Sequence, residues 1–168
     1  TVGFDKFKDM VETTMGFKFE SPKPFSISSN IDSFGWTRDE TGLNHFTAFV
    51  ENGRVMDAVG LCQKTGLKKI AELMQQNKSG GYRLTGNQHV IISNIEDQHL
   101  QGIKGVLHEY QLDNLQMTGL RLSSSSCVGF PTCGLAMAES ERFFPIIVTE
   151  IEEALEEYGL RHDSVVLR

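Results

Sequence analysis

Phe4, Phe7, Met10, Val11 and Met15 recur at helical spacing, and Gly16 stands where such a helix would stop, which predicts a helix over residues 4–15. The SPKP stretch at 21–24 favours extended backbone, and residues 28–33 carry turn chemistry, so the chain up to Trp36 is expected to wrap as an arm. Residues 44–50 alternate as a strand, with Phe46, Ala48 and Val50 on one face and His45, Thr47 and Phe49 on the other. A turn at Glu51-Asn52-Gly53-Arg54 then lets residues 55–59 return as the paired strand. Thr65 is the expected cap of a helix carrying Leu67, Ile70, Ala71 and Met74, which closes at residues 78–81. Residues 82–85 and 89–93 read as strand around Gly86, where a bulge or a close backbone approach is expected. Asp97 opens a third helix through Leu100, Ile103, Val106 and Leu107.

Strand, helix, strand, helix within this span is the order of a split βαβ, ferredoxin-like lobe. Beyond Leu115 the texture changes. Residues 117–122 form a short strand candidate, and four serines lead into CVGFPTC at 127–133. Residues 135–143 are helix-compatible. Pro145 suits the first turn of a further helix with Ile147, Ile151, Ala154, Leu155 and Tyr158 as its buried stripe, and the glutamates at 150, 152, 153, 156 and 157 read as its solvated face. The expected organisation is an N-terminal helix and linker arm over residues 1–33, a ferredoxin-like lobe over 34–115 and the start of a second lobe over 116–168. The chain opens on Thr1 without a signal peptide and ends on the β-branched SVVLR, which reads as a fragment of a longer protein.

Composition narrows the function classes. With 16 Lys and Arg against 22 Asp and Glu, the net charge of -6 argues against a surface for nucleic acid. The longest apolar stretches, such as residues 143–148, fall far short of the ~20 residues of a bilayer span, so no membrane partner is expected. Three cysteines, an odd number, make no disulfide framework and point to a reducing, cytoplasmic location.

Cys127 and Cys133 flank a tight Gly129/Pro131 loop that can aim two thiolates at one metal centre, with Cys133 placed at the mouth of the expected helix. By spacing alone, a buried free thiol or a reversible disulfide stays open beside an iron–sulfur ligand pair. Cys62 reads as a packing residue, and the five histidines lack zinc-ligand spacing. Arg54, Arg83 and Arg121 lie beside turns or strands where a guanidinium holds either a carboxylate or phosphate ligand or a surface ion pair. Asn87 and Gln88 offer amide bonds to a cofactor or simply complete a polar turn.

SCVGFPTCGLAMAESER at 126–142 resembles the first half of the cluster-binding motif of siroheme sulfite reductase hemoproteins. FGW at 34–36, FVENGR at 49–54, KTG at 64–66 and RLTGNQ at 83–88 are similar, in the same order, to the second ferredoxin-like repeat of that family. The resemblance implies an α+β chain: a ferredoxin-like lobe followed by the start of an α/β siroheme- and cluster-binding lobe. It further implies a fragment of an assimilatory enzyme reducing sulfite to sulfide by six electrons at a siroheme coupled to a [4Fe-4S] cluster, fed by a flavoprotein reductase subunit. Cys127 and Cys133 match the first two cluster ligands, and Arg54, Arg83, Asn87, Gln88 and Arg121 fall in the siroheme's vicinity. The family's other two cysteines and its substrate-binding cations lie outside this sequence, so the fragment by itself is expected to be inactive and to hold no cofactor. A siroheme nitrite reductase fragment and a non-catalytic α+β domain with free thiols are the alternatives.

Overall fold

The computed structural model describes residues 2–26, 32–59, 61–115, 117–163 and 165–168, with the side chain of Leu61 set aside. Two compact units result, Thr1–Asn30 and Ile31–Arg168. Most of the turn expected at 28–33 lies outside the described residues.

In the first unit, helix α1 (Phe4–Met15) ends on Gly16 in the left-handed region at φ 77°, whose N–H donates to the carbonyl of Glu12. The Glu12 carboxylate is buried, accepting the Phe19 N–H at 3.0 Å and pairing with Lys18 at 2.8 Å. Phe4, Phe7, Met10 and Met15 are exposed.

In the second unit the described strands begin with β1 (Gly35–Arg38) and β2 (Asn44–Ala48). Gly35 and Trp36 therefore lie in a strand rather than at the end of an arm: the Asp39 carboxylate accepts the N–H groups of Thr41 and Leu43 and closes a hairpin that seats Trp36 opposite Phe46. Among the described residues, short strands β3 (Asp57–Ala58) and β4 (Leu61–Cys62) pair only with each other. The return strand expected at 55–59 has no edge to join, because β2 is bonded on both sides, to β1 and to the strand at Val90–Ile95.

Helix α2 (Gln63–Asn77) starts ahead of Thr65, and the Asp57 carboxylate accepts both the backbone N–H and the hydroxyl of Thr65. Strands β5 (Gly81–Leu84) and β6 (Val90–Ile95) complete an antiparallel sheet of order β1-β2-β6-β5. Helix α3 (Leu100–Glu109) follows a short turn from Asp97. Phe46, Ala48, Ile92 and Ile95 pack against Ile70 and Met74 of α2 and Ile103 and Leu107 of α3, which places one apolar core between sheet and helices.

Two further expectations are corrected. Residues 119–123 form helix α4 (Gly119–Ser123) rather than a strand, because the Thr118 hydroxyl accepts the Arg121 N–H and caps the turn. Residues 135–143 form turns and irregular backbone rather than a helix, with the Ala138 carbonyl accepting the Phe130 N–H at 2.9 Å. Helix α5 (Phe144–Glu157) buries Phe144 and Val148 with Leu120, with Ile151 and Leu155 alongside, while Ala154 and Tyr158 are exposed. Among the described residues no helix is long and apolar enough to cross a membrane.

Candidate functional site

The thiol loop is built on hydrogen bonds of its own backbone. Cys133 N–H donates to the Gly129 carbonyl at 2.8 Å, and Ala136 N–H to the Cys133 carbonyl at 3.1 Å. Gly129 sits at φ 60°, and a Cβ there would fall 2.7 Å from the Ser140 backbone nitrogen, so the loop doubles back only with glycine at this point. Both thiols are free; Cys127 is exposed and Cys133 partly so. No helix starts at Cys133, against the expectation that it stands at the mouth of one: the next helix is α5, from Phe144. Cys62, expected to pack, is exposed at the start of α2. Among the described residues no group of three or more His, Cys, Asp or Glu side chains could hold a metal ion. Among the described residues, Oγ of Ser126, adjacent in sequence to Cys127, is the buried side-chain polar atom left without a hydrogen-bond partner.

Both ends of this loop are tied to the turn at Glu51–Gly53. Asn52 Oδ1 accepts the Ser126 N–H at 3.0 Å, and its Nδ2 donates to the Glu141 carbonyl at 3.1 Å. Arg54 donates two bonds to the Glu141 carboxylate, one at 2.9 Å, and this keeps the carboxyl of Glu141 below its ordinary pKa. Arg121 donates to Glu51, to Thr149 and to both carboxylate oxygens of Glu152. Burial opposes the charge on Arg121, but the two carboxylates outweigh it and hold its pKa above the ordinary value. Glu152 is thus half-buried in an ion pair instead of lying on a solvated face. These pairs, with Phe49, Met56, Met117 and Pro145, line a cavity of about 670 Å³.

A model of the nitrite/sulfite reductase ferredoxin-like half domain matches residues 37–110. This segment is similar to that half domain. The chain is 63% identical over 167 residues to the beta subunit of NADPH sulfite reductase from Saccharomyces cerevisiae, covering 99% of the chain and 12% of that relative. The corresponding Schizosaccharomyces pombe subunit is 44% identical, over 100% of the chain and 12% of its own length. The hemoprotein beta-component of the NADPH enzyme from Methylobacterium nodulans is 43% identical, over 99% and 27%. The solved structure of the NirA protein of Mycobacterium tuberculosis superposes with a TM-score of 0.67 at 28% identity, covering 96% of this chain and 28% of that one. The chain therefore spans a minor part of the relatives it matches.

Within the half domain the remaining candidates separate. Arg83 is exposed and borders a second cavity of about 280 Å³, lined by Thr37, His45, Thr47 and Ser93 on the sheet face turned away from the helices. Asn87 Nδ2 donates to Asp32, which also accepts the Thr85 hydroxyl. Gln88, at φ 70°, packs against Gly53, where a Cβ would come within 2.9 Å of the Gln88 Cβ. Arg54 and Arg121 approach the thiol loop's frame, and each is committed to carboxylates of the chain. Asn52, Glu141, Glu51, Glu152 and Ser126 escape a reading of the sequence. Only Asn52 announces itself, through the Asn-Gly turn signal.

Proposed function

We propose that this chain is part of a siroheme sulfite reductase of the NADPH-linked, assimilatory kind, and that it supplies a ferredoxin-like half domain and half of the cluster-ligand set. The observation that carries this reading is its similarity, over 99% of its length, to NADPH sulfite reductase beta subunits. In this reading residues 34–115 are the half domain and 116–168 open the siroheme and cluster lobe. Cys127 and Cys133 would ligate two irons of a [4Fe-4S] cluster through their thiolates, the ligands such clusters use. When bound, the cluster and siroheme supply the electron relay for six-electron reduction of sulfite to sulfide. The chain's own residues support the fit: two free thiols on one braced loop, and a buried Ser126 hydroxyl that has no hydrogen-bond partner among the described residues. Arg54 and Arg121, neutralised by Glu141, Glu51 and Glu152, hold the frame of the loop, while Arg83 with Asn87 and Gln88 lies toward the siroheme side. Sulfite is the substrate, a flavoprotein reductase subunit the electron donor and the cytoplasm the location.

The test uses Cys127→Ser, Cys133→Ser and Cys62→Ser in the full-length protein, with iron and acid-labile sulfide content measured beside methyl-viologen-driven sulfide production. A serine oxygen is a harder and poorer donor to iron than a thiolate, so the first two variants lose cluster and activity while Cys62→Ser retains both. Full iron and activity in both loop variants would end the ligand assignment. A wild-type protein without iron would favour a binding domain with free thiols, and preferential turnover of nitrite a siroheme nitrite reductase.

A further inference from the structure

We infer that Asn52 is a positioning residue that presets the Cys127/Cys133 loop for ligation, by holding both of the loop's ends with one carboxamide. The inference rests on the reading of those thiols as cluster ligands. Its physical basis is the two-sided chemistry of the amide: Oδ1 accepts the N–H of Ser126, the residue before Cys127, and Nδ2 donates to the carbonyl of Glu141, beyond Cys133. The trailing end is held a second time where Arg54 grips the Glu141 carboxylate, and Glu141 is 6% exposed. The clamp has a firm base. Asn52 occupies the left-handed region at φ 51°, which asparagine tolerates, and Gly53 is pressed against Gln88 too closely to admit a Cβ. No element of regular structure spans residues 124–143, so the loop's geometry depends on its own backbone bonds and on bonds such as these to distant residues of the same chain. Holding the two thiols before the cluster arrives removes ordering cost from ligation.

Asn52→Gly deletes the clamp while remaining compatible with the positive φ. Asn52→Asp keeps the acceptor for Ser126 N–H but sets a carboxylate oxygen against the Glu141 carbonyl. Asn114→Gly is the matched control: Asn114 also sits at positive φ, 63°, and its amide also bonds two backbone groups, of Phe49 and Thr47, away from the thiol loop. In the full-length protein, iron and labile sulfide per chain should fall in the order wild type, Asn52→Asp, Asn52→Gly, with Asn114→Gly at the wild-type level. In protein freed of its cluster, alkylation of the partly buried Cys133 should speed up about tenfold relative to Cys62 in Asn52→Gly, as expected for a local opening that loses two neutral hydrogen bonds. Wild-type labelling and cluster content in Asn52→Gly would overturn the clamp, as would a rise shared equally by Cys62 or by Asn114→Gly. If Asn52→Gly fails to fold, the graded behaviour of Asn52→Asp decides the matter on the same two readouts. Cluster-free wild-type protein would instead refute the functional reading, and the labelling arm would still judge the clamp.

Discussion

Ile70, on the sheet-facing side of α2, has 0% of its surface exposed and lies in the core with Phe46, Ile92 and Ile103. Truncating it to alanine removes three carbon atoms from that contact. At roughly 0.8 kcal/mol per buried methylene the transfer loss is about 2.4 kcal/mol. The cavity left between sheet and helices adds to this, giving about 2–5 kcal/mol in all. Ile70→Val removes one carbon and should cost about 0.5–1.5 kcal/mol. Leu84→Ala is the counterpart in an equally apolar position of β5: its side chain is 82% exposed, so the change should stay within about 0.5 kcal/mol. Urea unfolding of the chain, followed by far-UV circular dichroism and tryptophan fluorescence, resolves the three. With a slope of about 1–3 kcal/mol/M, Ile70→Ala should move the midpoint down by about 1 M or more. The reasoning fails if Ile70→Ala unfolds at the wild-type midpoint, or if Leu84→Ala is the more damaging of the two.

Gly66→Ala should destabilise by about 1–3 kcal/mol although alanine is the better helix former, since its Cβ would lie 2.6 Å from the Tyr110 Cβ and 2.9 Å from Leu112 Cδ1. Gly105→Ala on α3, with nothing within 4 Å, should stabilise by about 0.5–1 kcal/mol, and thermal melts of opposite sign check the pair. His89 is buried, and burial pushes its pKa below the ordinary 6.5 against the opposing pull of Asp32, while its Nδ1 accepts the Val50 N–H. The unfolded chain therefore binds this proton first. Stability should decline as the pH drops below 6.5 toward the folded value, and His89→Gln should flatten that part of a pH series of urea midpoints. The depressed carboxyls of Glu141, Asp57 and Asp97 act lower: their contribution is complete above their ordinary values of 4.5, 3.8 and 3.8 and is lost as the pH falls through the folded ones, a second step in the same series.

What could be read along the chain was what depends on near neighbours. The 3.6 period through Ile70 and Met74 and again through Ile103 and Leu107, and the alternation at 44–50, locate α2, α3 and β2, because an apolar stripe or face must be buried whatever buries it. The α+β, ferredoxin-like character follows from the order of those elements, and the two-thiol loop was visible in its spacing and its glycine. Capping at Thr118 was also local, but a strand-like run of apolar residues around it masked the signal. Burial of Glu152, exposure of Cys62, the missing edge for residues 55–59 and the non-helical stretch at 135–143 depend on which segments meet. Asn52 and Ser126 are bonded across 74 positions, and Arg54 and Glu141 across 87. A polar side chain shows its type in sequence, but its partner exists only once the fold brings a complementary group within about 3 Å of it. The clamp on the thiol loop was therefore decided by tertiary structure alone.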